Sequence, residues 1–437
     1  MKAVIMAGGL GTRIASVRSD VPKPMIEICG KPILQHQIEN LLNSGITDIT
    51  LVTGHLGHKI QEYFGDGSKF GVKISYFNED HPLGTAGALF KMEGLTEDFL
   101  LLCGDTMFNL DFARFIEFHK SHKAWASLMA HPNGHPYDSS LLVTEILPPE
   151  KEGELPRDSK RVAKWLAKED ERLYYKNRVN AGIEIISPEL LEYTKKNYKP
   201  RHPETPDKID LDRDVLKPAI PTGKIFAYDT PEYIKDMGTP DRYYETEKDL
   251  QCGRISAKNL SQKQKAVFLD RDGTLNKDRG FITSPEQLEL IDGVAEAVKA
   301  INKSGYLAIV ITNQPVIARG ECSFETLQQI HDKLETELGK DGAYIDALYY
   351  CPHHPDSGFE GERIAYKGKC NCRKPATGLI EQAQKDFNID ISQSFMVGDS
   401  SRDTDCGKNA GCKASILVDE KYTLSDFVKE YISGDSK

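Results

Sequence analysis

The sequence predicts an α/β protein made of two doubly wound, mainly parallel-sheet domains. Three observations carry this expectation. The chain opens twice on one pattern, an apolar strand running into a polar loop. Lys2-Ala-Val-Ile-Met6 leads into Ala7-Gly-Gly-Leu-Gly-Thr-Arg13, and Lys265-Ala-Val-Phe-Leu269 leads into Asp270-Arg-Asp-Gly-Thr-Leu275. Open α/β sheets handle phosphate groups at such strand ends. After each opening, short apolar runs alternate with helical patterns, the mark of strands layered with helices. At 437 residues the chain is also long for one domain.

The elements follow in order. Ile33 to Asn43 has helical spacing, Ile49-Thr-Leu-Val-Thr53 is β-branched and ends at Gly54, and Val72-Lys-Ile-Ser-Tyr76 alternates as a strand does. Phe99-Leu-Leu-Leu-Cys103 reads as a buried strand, residues 148–160 as a polar, proline-rich surface loop, and Ala181-Gly-Ile-Glu-Ile-Ile186 as a further strand. A helix from Asp241 to about Leu250 closes the first half. Polar residues 251–264 form the expected linker between domains 1–250 and 265–437. In the second half Leu307-Ala-Ile-Val-Ile311, Tyr344 to Tyr350, Ser394-Phe-Met-Val397 and Ala414-Ser-Ile-Leu-Val418 are the expected strands.

Composition narrows the function. A net charge of −10 argues against a general nucleic-acid binder, although a basic loop with magnesium can still hold a nucleotide. No apolar run reaches the ~18 residues of a membrane span. Gly8, Gly9 and Gly11 interrupt the start, so no signal peptide is expected. Nine cysteines, odd in number and unevenly spread, fit a reducing cytoplasm rather than a disulfide framework.

The first loop is neither a Walker A motif nor a dinucleotide fingerprint, since no Gly-Lys-Ser/Thr follows and position 14 is Ile. Its glycines Gly8, Gly9 and Gly11, with Thr12, let backbone N–H groups approach a polyphosphate. Arg13 adds a planar charged fork, and Lys23 stands between Pro22 and Pro24. Together these resemble the signature of the sugar-1-phosphate nucleotidylyltransferases, over roughly residues 1–245, which have a Rossmann-like domain. The resemblance implies that a sugar phosphate attacks the α-phosphorus of a nucleoside triphosphate and expels pyrophosphate. Arg13 and Lys23 would then neutralise charge, and Asp105 and Asp236 would hold magnesium. The loop Pro82-Leu-Gly84-Thr85-Ala-Gly87 resembles the base-holding loop, and Asn180 with Gly182 the sugar strand. Glu79 could accept from guanine N1 and N2, or be a solvated loop carboxylate. Where the family often has Glu-Lys-Pro, this chain reads Ala167-Lys168-Glu169; Lys168 can still meet the sugar phosphate, while the departure puts the glutamate's usual sugar contact in doubt.

The second loop places two carboxylates one residue apart after a buried strand. One can attack phosphorus while the other exchanges protons with the leaving oxygen. Asp270-Arg-Asp272, then Thr312-Asn313, Arg373-Lys374-Pro375 and Gly398-Asp399 match, in order, the motifs of the haloacid dehalogenase superfamily of phosphatases, with its Rossmannoid fold. The resemblance implies Asp270 as nucleophile, Asp272 as general acid and base, and Lys374 as charge neutraliser. Thr312 and Asn313 would be phosphate ligands, and Asp270, Asp272 and Asp399 would surround magnesium. Asp403 has two readings, beside the magnesium or as a helix-start cap. Cys351, His353, Cys370 and Cys372 are the ligand set of a closed tetrahedral zinc site, whereas adjacent His354 points away. Cys406 and Cys412 are expected in the core.

Cys-Pro-His-His-Pro followed by Cys-x-Cys-Arg-Lys-Pro resembles the heptose-bisphosphate 7-phosphatases and their relatives the histidinol-phosphatases. Arg373 would then hold the remaining phosphate. A phosphatase that clears the far phosphate of a sugar bisphosphate leaves the anomeric phosphate a nucleotidylyltransferase consumes; heptose fits this, histidinol does not. The expectation is a bifunctional cytoplasmic enzyme that takes D-glycero-D-manno-heptose 1,7-bisphosphate to GDP-heptose, for bacterial surface glycans. It would use GTP, magnesium and zinc, with no nucleic-acid or membrane partner. Two readings stand beside it: the same pair of activities on mannose or another sugar, or a nucleotide-sensing first half on an active phosphatase.

Overall fold

The computed structural model describes residues 1–9, 20–358 and 360–433. It contains two compact units. The first comprises Met1–Ala130, Lys160–Trp165 and Asn180–Asn259; the second comprises His131–Ser159, Leu166–Val179 and Leu260–Lys437. No helix among the described residues is long and apolar enough to cross a membrane.

In the first unit the opening strand, Lys2–Met6, lies parallel to Asp48–Thr53 on one side and Phe99–Cys103 on the other. Ala3, Val4 and Ile5 are wholly buried, because helices cover both faces of a parallel sheet and leave no polar side. Along the sheet this unit's strands run in the order Lys73–Asn78, Asp48–Thr53, Lys2–Met6, Phe99–Cys103, Val179–Ile186, Ala126–His131, Ile225–Asp229 and Arg157–Leu166. Val179–Ile186 is antiparallel to Phe99–Cys103, so the sheet is mixed beyond its parallel half. A short antiparallel ribbon joins Thr106–Asn109 to Tyr233–Asp236 and sets Asp236 opposite Thr106.

The second unit has a five-stranded parallel sheet in the order Ala347–Cys351, Tyr306–Asn313, Lys265–Leu269, Phe395–Gly398, Ala414–Leu417. Strand order reverses on either side of Lys265–Leu269, and ligands bind at the carboxyl end of such a switch point. Asp270, Asn313 and Asp399 all stand at that end. Segments from earlier in the chain also belong here. The N–H of Tyr175 donates to Thr336 Oγ1 (2.9 Å), that of Asn177 to Glu335 Oε2 (2.7 Å), and Tyr366 Oη to the carbonyl of Glu154 (2.7 Å).

Most expected elements appear within two residues of their expected ends: the first helix is Ile33–Asn43 and the helix near 241–250 is Pro240–Gln251. The stretch 251–264 differs from a plain polar linker. It forms the helix Arg254–Ala257 and buries Ile255 and Leu260, two apolar anchors in an otherwise polar stretch. The expected loop at 148–160 gives way to a strand at Arg157.

Candidate active sites

The first site gathers at strand ends of the first unit. Gly8 has no room for a side chain: a Cβ there would stand 3.0 Å from Glu79 Oε2 and 3.4 Å from the Gly54 nitrogen. Gly9 faces open space. Gly11, Thr12 and Arg13 lie outside the described residues. Lys23, in the short turn Lys23–Met25 flanked by Pro22, places Nζ 2.5 Å from Asp105 Oδ2. Asp105 follows Gly104, whose N–H donates to the Met6 carbonyl (3.0 Å) and so ties the acidic turn to the opening strand. The Met237 N–H donates to the Asp105 carbonyl (2.9 Å), which brings Asp236 to the same corner. Burial opposes ionisation of Asp236, but the ion pair with Arg242, the Gly238 N–H (3.0 Å) and Lys23 outweigh it and hold the carboxyl below its usual range. Both aspartates thus carry a basic side chain. Carboxylates are the donor type a divalent cation takes.

Around the base loop, burial pushes the Glu79 carboxyl up, and its Oε1 is buried without a hydrogen-bond partner. Gly84 adopts φ +80°, and a Cβ there would collide with the Ile209 carbonyl at 2.4 Å. Thr85 Oγ1 accepts from the Leu211 N–H (2.7 Å), which ties the loop to residues 209–211. On the sugar strand, Gly182 (φ +69°) leaves space over Cys103, and Asn180 Oδ1 is buried without a partner. Lys168 falls in the second unit, where its Nζ is 3.4 Å from Asp138 Oδ1.

Sequence reasoning missed Glu184 here. It is fully buried on the strand carrying Asn180, and burial plus Asp212 raise its carboxyl well above the usual range. Asp212 is itself pushed up to about 6, chiefly by burial. The signal was present: a carboxylate inside the apolar run Gly-Ile-Glu-Ile-Ile.

The second site is more tightly knit. Lys374 Nζ, 2% exposed, lies 2.8 Å from Asp270 Oδ1 and 2.6 Å from Asp403 Oδ1, and donates to the Ile311 carbonyl (2.9 Å). Burial lowers its basicity, but the two carboxylates outweigh that and raise it. Asp270 is raised by burial despite Lys374, and Asp399 reaches about 6 through burial and the charges of Asp270 and Asp403. Carboxylate oxygens of Asp270, Asp399 and Asp403 come within 4.8 Å of one another. Three carboxylates crowded this closely suit a divalent cation. Gly273 turns beneath them at φ +80°, where a Cβ would meet Asp399 Oδ2 at 2.0 Å.

The sequence places Asp272 around the magnesium with Asp270 and Asp399. In the structure the carboxylate of Asp403 stands with those of Asp270 and Asp399, and the Asp272 carboxylate is held by Arg271, Gln314 and Asn276. Asp403 caps the start of a helix and also faces Lys374. Its Oδ2 accepts from Ser400 N (3.0 Å) and Oγ (2.7 Å) at the start of helix Ser401–Ala410, and its Oδ1 faces Lys374. Asn313 and Lys374 are locked by a reciprocal pair of bonds, 3.2 and 3.0 Å. Thr312 Oγ1 accepts from Gln314 Nε2 (2.9 Å), leaving its own O–H to donate elsewhere.

Cys351, His353, Cys370 and Cys372 converge. Cys372 Sγ lies 3.2 Å from Cys351 Sγ, 3.4 Å from Cys370 Sγ and 3.3 Å from His353 Nδ1. A zinc ion with ~2.3 Å bonds to sulfur sets ligand-to-ligand edges of about 3.7 Å, slightly above these separations. Hydrogen bonding within the cluster, the contact with Cys351 foremost, draws the Cys372 thiol down to about 5. His354 stays out of the group; its Nδ1 accepts from the Asp356 N–H (3.1 Å). Arg373 donates to the His353 carbonyl (3.0 Å), which links this cluster to the residue before Lys374. Cys406 is buried and Cys412 half-buried.

Comparison with known proteins agrees with this division of chemistry. Residues 2–252 match the nucleotidyl transferase family, and residues 371–431 match the HAD-hydrolase-like family. The D-glycero-beta-D-manno-heptose-1,7-bisphosphate 7-phosphatase of Haemophilus ducreyi is 46% identical over 156 residues, 36% of this chain and 83% of that protein. The D-glycero-alpha-D-manno-heptose-1,7-bisphosphate 7-phosphatase of Burkholderia mallei is 38% identical over 156 residues, 36% of this chain and 80% of its own length. Among solved structures, HddC from Yersinia pseudotuberculosis complexed with GMP-PN is 27% identical, covers 57% of this chain and 99% of its own, and has a TM-score of 0.44. The chain is a bifunctional enzyme that belongs to the nucleotidyl transferase family over residues 2–252 and to the heptose-bisphosphate 7-phosphatase family over its C-terminal part.

Proposed function

We propose that the second site removes the 7-phosphate of D-glycero-D-manno-heptose 1,7-bisphosphate, and that the first joins the resulting heptose 1-phosphate to GMP from GTP. The observation that carries the reading is the Asp270–Lys374–Asp399 constellation at the switch point, in a segment 46% identical to a phosphatase of that substrate. Asp270 attacks phosphorus, the bond to the sugar oxygen breaks, and that oxygen takes a proton from Asp272. Water then attacks the aspartyl phosphate, gives its proton to Asp272 and frees Asp270. Lys374 neutralises the crowded phosphoryl oxygens, and Thr312 and Asn313 bind them. Magnesium held by Asp270, Asp399 and Asp403 would supply further charge neutralisation. Zinc on Cys351, His353, Cys370 and Cys372 would pin the loop that carries Arg373, leaving Arg373 to meet the anomeric phosphate.

In the first site, an oxygen of heptose 1-phosphate attacks the α-phosphorus of the nucleotide and pyrophosphate departs. Gly8, Gly9, Gly11, Thr12, Arg13 and Lys23 would line the triphosphate, Asp105 and Asp236 would hold magnesium, and Asn180 and Gly182 would border the sugar. Gly84 and Thr85 would shape the loop over the base. Glu79 supports GTP over other triphosphates: its unpartnered, buried Oε1 is an acceptor suited to the N1 and N2 hydrogens of guanine. One incubation tests both steps. With heptose 1,7-bisphosphate and each of the four triphosphates supplied separately, mass detection should find GDP-heptose with GTP alone. Release of phosphate with no nucleotide sugar from any triphosphate would refute the first-site assignment.

A further inference from the structure

We infer that Arg271, acting with Gln314, is a positioning residue that aims the carboxylate of Asp272 at the leaving oxygen; this rests on the phosphatase reading above. Arg271 stands between the two aspartates of the loop, where a charged side chain would ordinarily reach water. Instead it is fully buried, at 0% exposure. A guanidinium in that position is costly unless its charge is met. It is met by one group: Nε lies 3.0 Å from Asp272 Oδ1, and Nη2 lies 2.9 Å from Oδ1 and 2.8 Å from Oδ2.

The second strut is Gln314. Its Oε1 accepts from Arg271 Nη2 (3.0 Å), and its Nε2 donates to Asp272 Oδ2 (2.9 Å) and to Thr312 Oγ1 (2.9 Å). Arginine offers only donors and a carboxylate only acceptors, so the amide can face just one way between them. Asn276 Nδ2 adds a third contact, 3.0 Å from Asp272 Oδ1. Two residues of the same loop, Arg271 and Asn276, and one from the end of the neighbouring strand, Gln314, therefore fix the plane of one carboxylate. Asp272 itself keeps 23% of its side chain accessible, whereas Arg271 keeps none. The Arg271 backbone N–H donates to Asp270 Oδ1 (2.7 Å), a contact that side-chain substitution leaves in place, whereas its guanidinium makes its charged contact with Asp272.

Proton transfer needs donor and acceptor within about 2.6–3.2 Å and well aligned, so a carboxylate left to rotate loses most of its value as an acid. That loss should depend on the leaving group. A sugar alkoxide must be protonated as it departs; p-nitrophenolate need not be. The value of kcat/KM reports the steps through departure of the alcohol, before the aspartyl phosphate is hydrolysed.

The test compares kcat/KM for heptose 1,7-bisphosphate and for p-nitrophenyl phosphate in the full-length wild type, Arg271→Met, Arg271→Lys and Gln314→Leu. Arg271→Met should lower the sugar-phosphate value on the order of 10²-fold and the aryl-phosphate value by about threefold or less. Arg271→Lys should recover part of the loss, and Gln314→Leu should show the same selectivity on a smaller scale, about tenfold. In an Asp272→Asn background, adding Arg271→Met should cost the sugar phosphate little more, because both changes remove one function. Equal losses on both substrates, or full additivity with Asp272→Asn, would overturn the inference and leave Arg271 a packing or phosphate-binding residue. A wild type that hydrolyses neither substrate would instead refute the phosphatase reading itself.

Discussion

In the first unit each acid has its own base. Lys23 sits on Asp105 and Arg242 on Asp236, and the two carboxylates remain 37% and 47% exposed. In the second unit one lysine, almost wholly buried, serves two carboxylates while a third crowds in. The difference follows the chemistry each site is asked to do. Nucleotidyl transfer forms no bond to the protein, so open ion pairs that can exchange for a cation and a triphosphate suffice. Phosphate hydrolysis through an aspartyl phosphate, as proposed for the second site, needs a nucleophile held in place with its charge offset; the packed Lys374 provides both at the cost of desolvating charge.

The sharpest way to break this comparison is to remove the buried nucleophile. Asp270→Asn should cut phosphate release by about 10³-fold or more, while pyrophosphate release from GTP with heptose 1-phosphate stays near wild type. Loss of both activities in a folded variant would show that the two sites are not chemically separate. Asp105→Ala is the converse and the gentler change. Pyrophosphate release should fall on the order of 10²-fold, with a weakened response to added magnesium, and phosphate release should persist.

Zinc comes next in size. Elemental analysis of protein purified without chelator should find about one zinc per chain, and Cys372→Ser should lose it. The variant's thermal midpoint should fall by several degrees through loosening around residues 351–372; a zinc-free wild type would count against the site. A structural metal contributes on the order of 10 kcal/mol in isolated zinc peptides, but a pre-packed sheet such as this one leaves less for the ion to do.

The smallest expected effect concerns the earlier segment built into the second unit. Glu335, raised to about 7 chiefly by burial despite Lys176 and Arg178 and with Asp332 nearby, accepts from the Asn177 N–H. Its folded pKa exceeds its ordinary value of 4.5, so the folded state holds the extra proton between those values. Stability from this group is therefore present below about pH 4.5 and lost as pH rises towards 7. Glu335→Gln keeps the acceptor and removes the titration. Between pH 5 and 7.5 the wild type should lose stability relative to the variant, by at most about 3 kcal/mol. Parallel melting curves at both pH values would sink the assignment.

Much of this was readable from the chain. The two apolar openings, the paired aspartates and the Cys-x-His with Cys-x-Cys spacing each carry their chemistry within a few residues, and the structure brings Cys351, His353, Cys370 and Cys372 together. Other features were not readable, because their meaning depends on partners far along the chain. Arg271 looks in sequence like a spacer between two aspartates; only the fold buries it against Gln314, 43 residues away. Asp403 meets Lys374 only through the fold, from 29 residues along the chain.

The sequence by itself therefore determined the fold class and the two enzyme classes, since strand periodicity and loop motifs are local properties. The tertiary structure alone decided which carboxylates share a lysine and which is held instead by Arg271 and Gln314. It also decided that residues 131–159 and 166–179 pack with the second unit rather than the first. Burial and long-range hydrogen bonds set those choices, and neither is written in any short stretch of the chain.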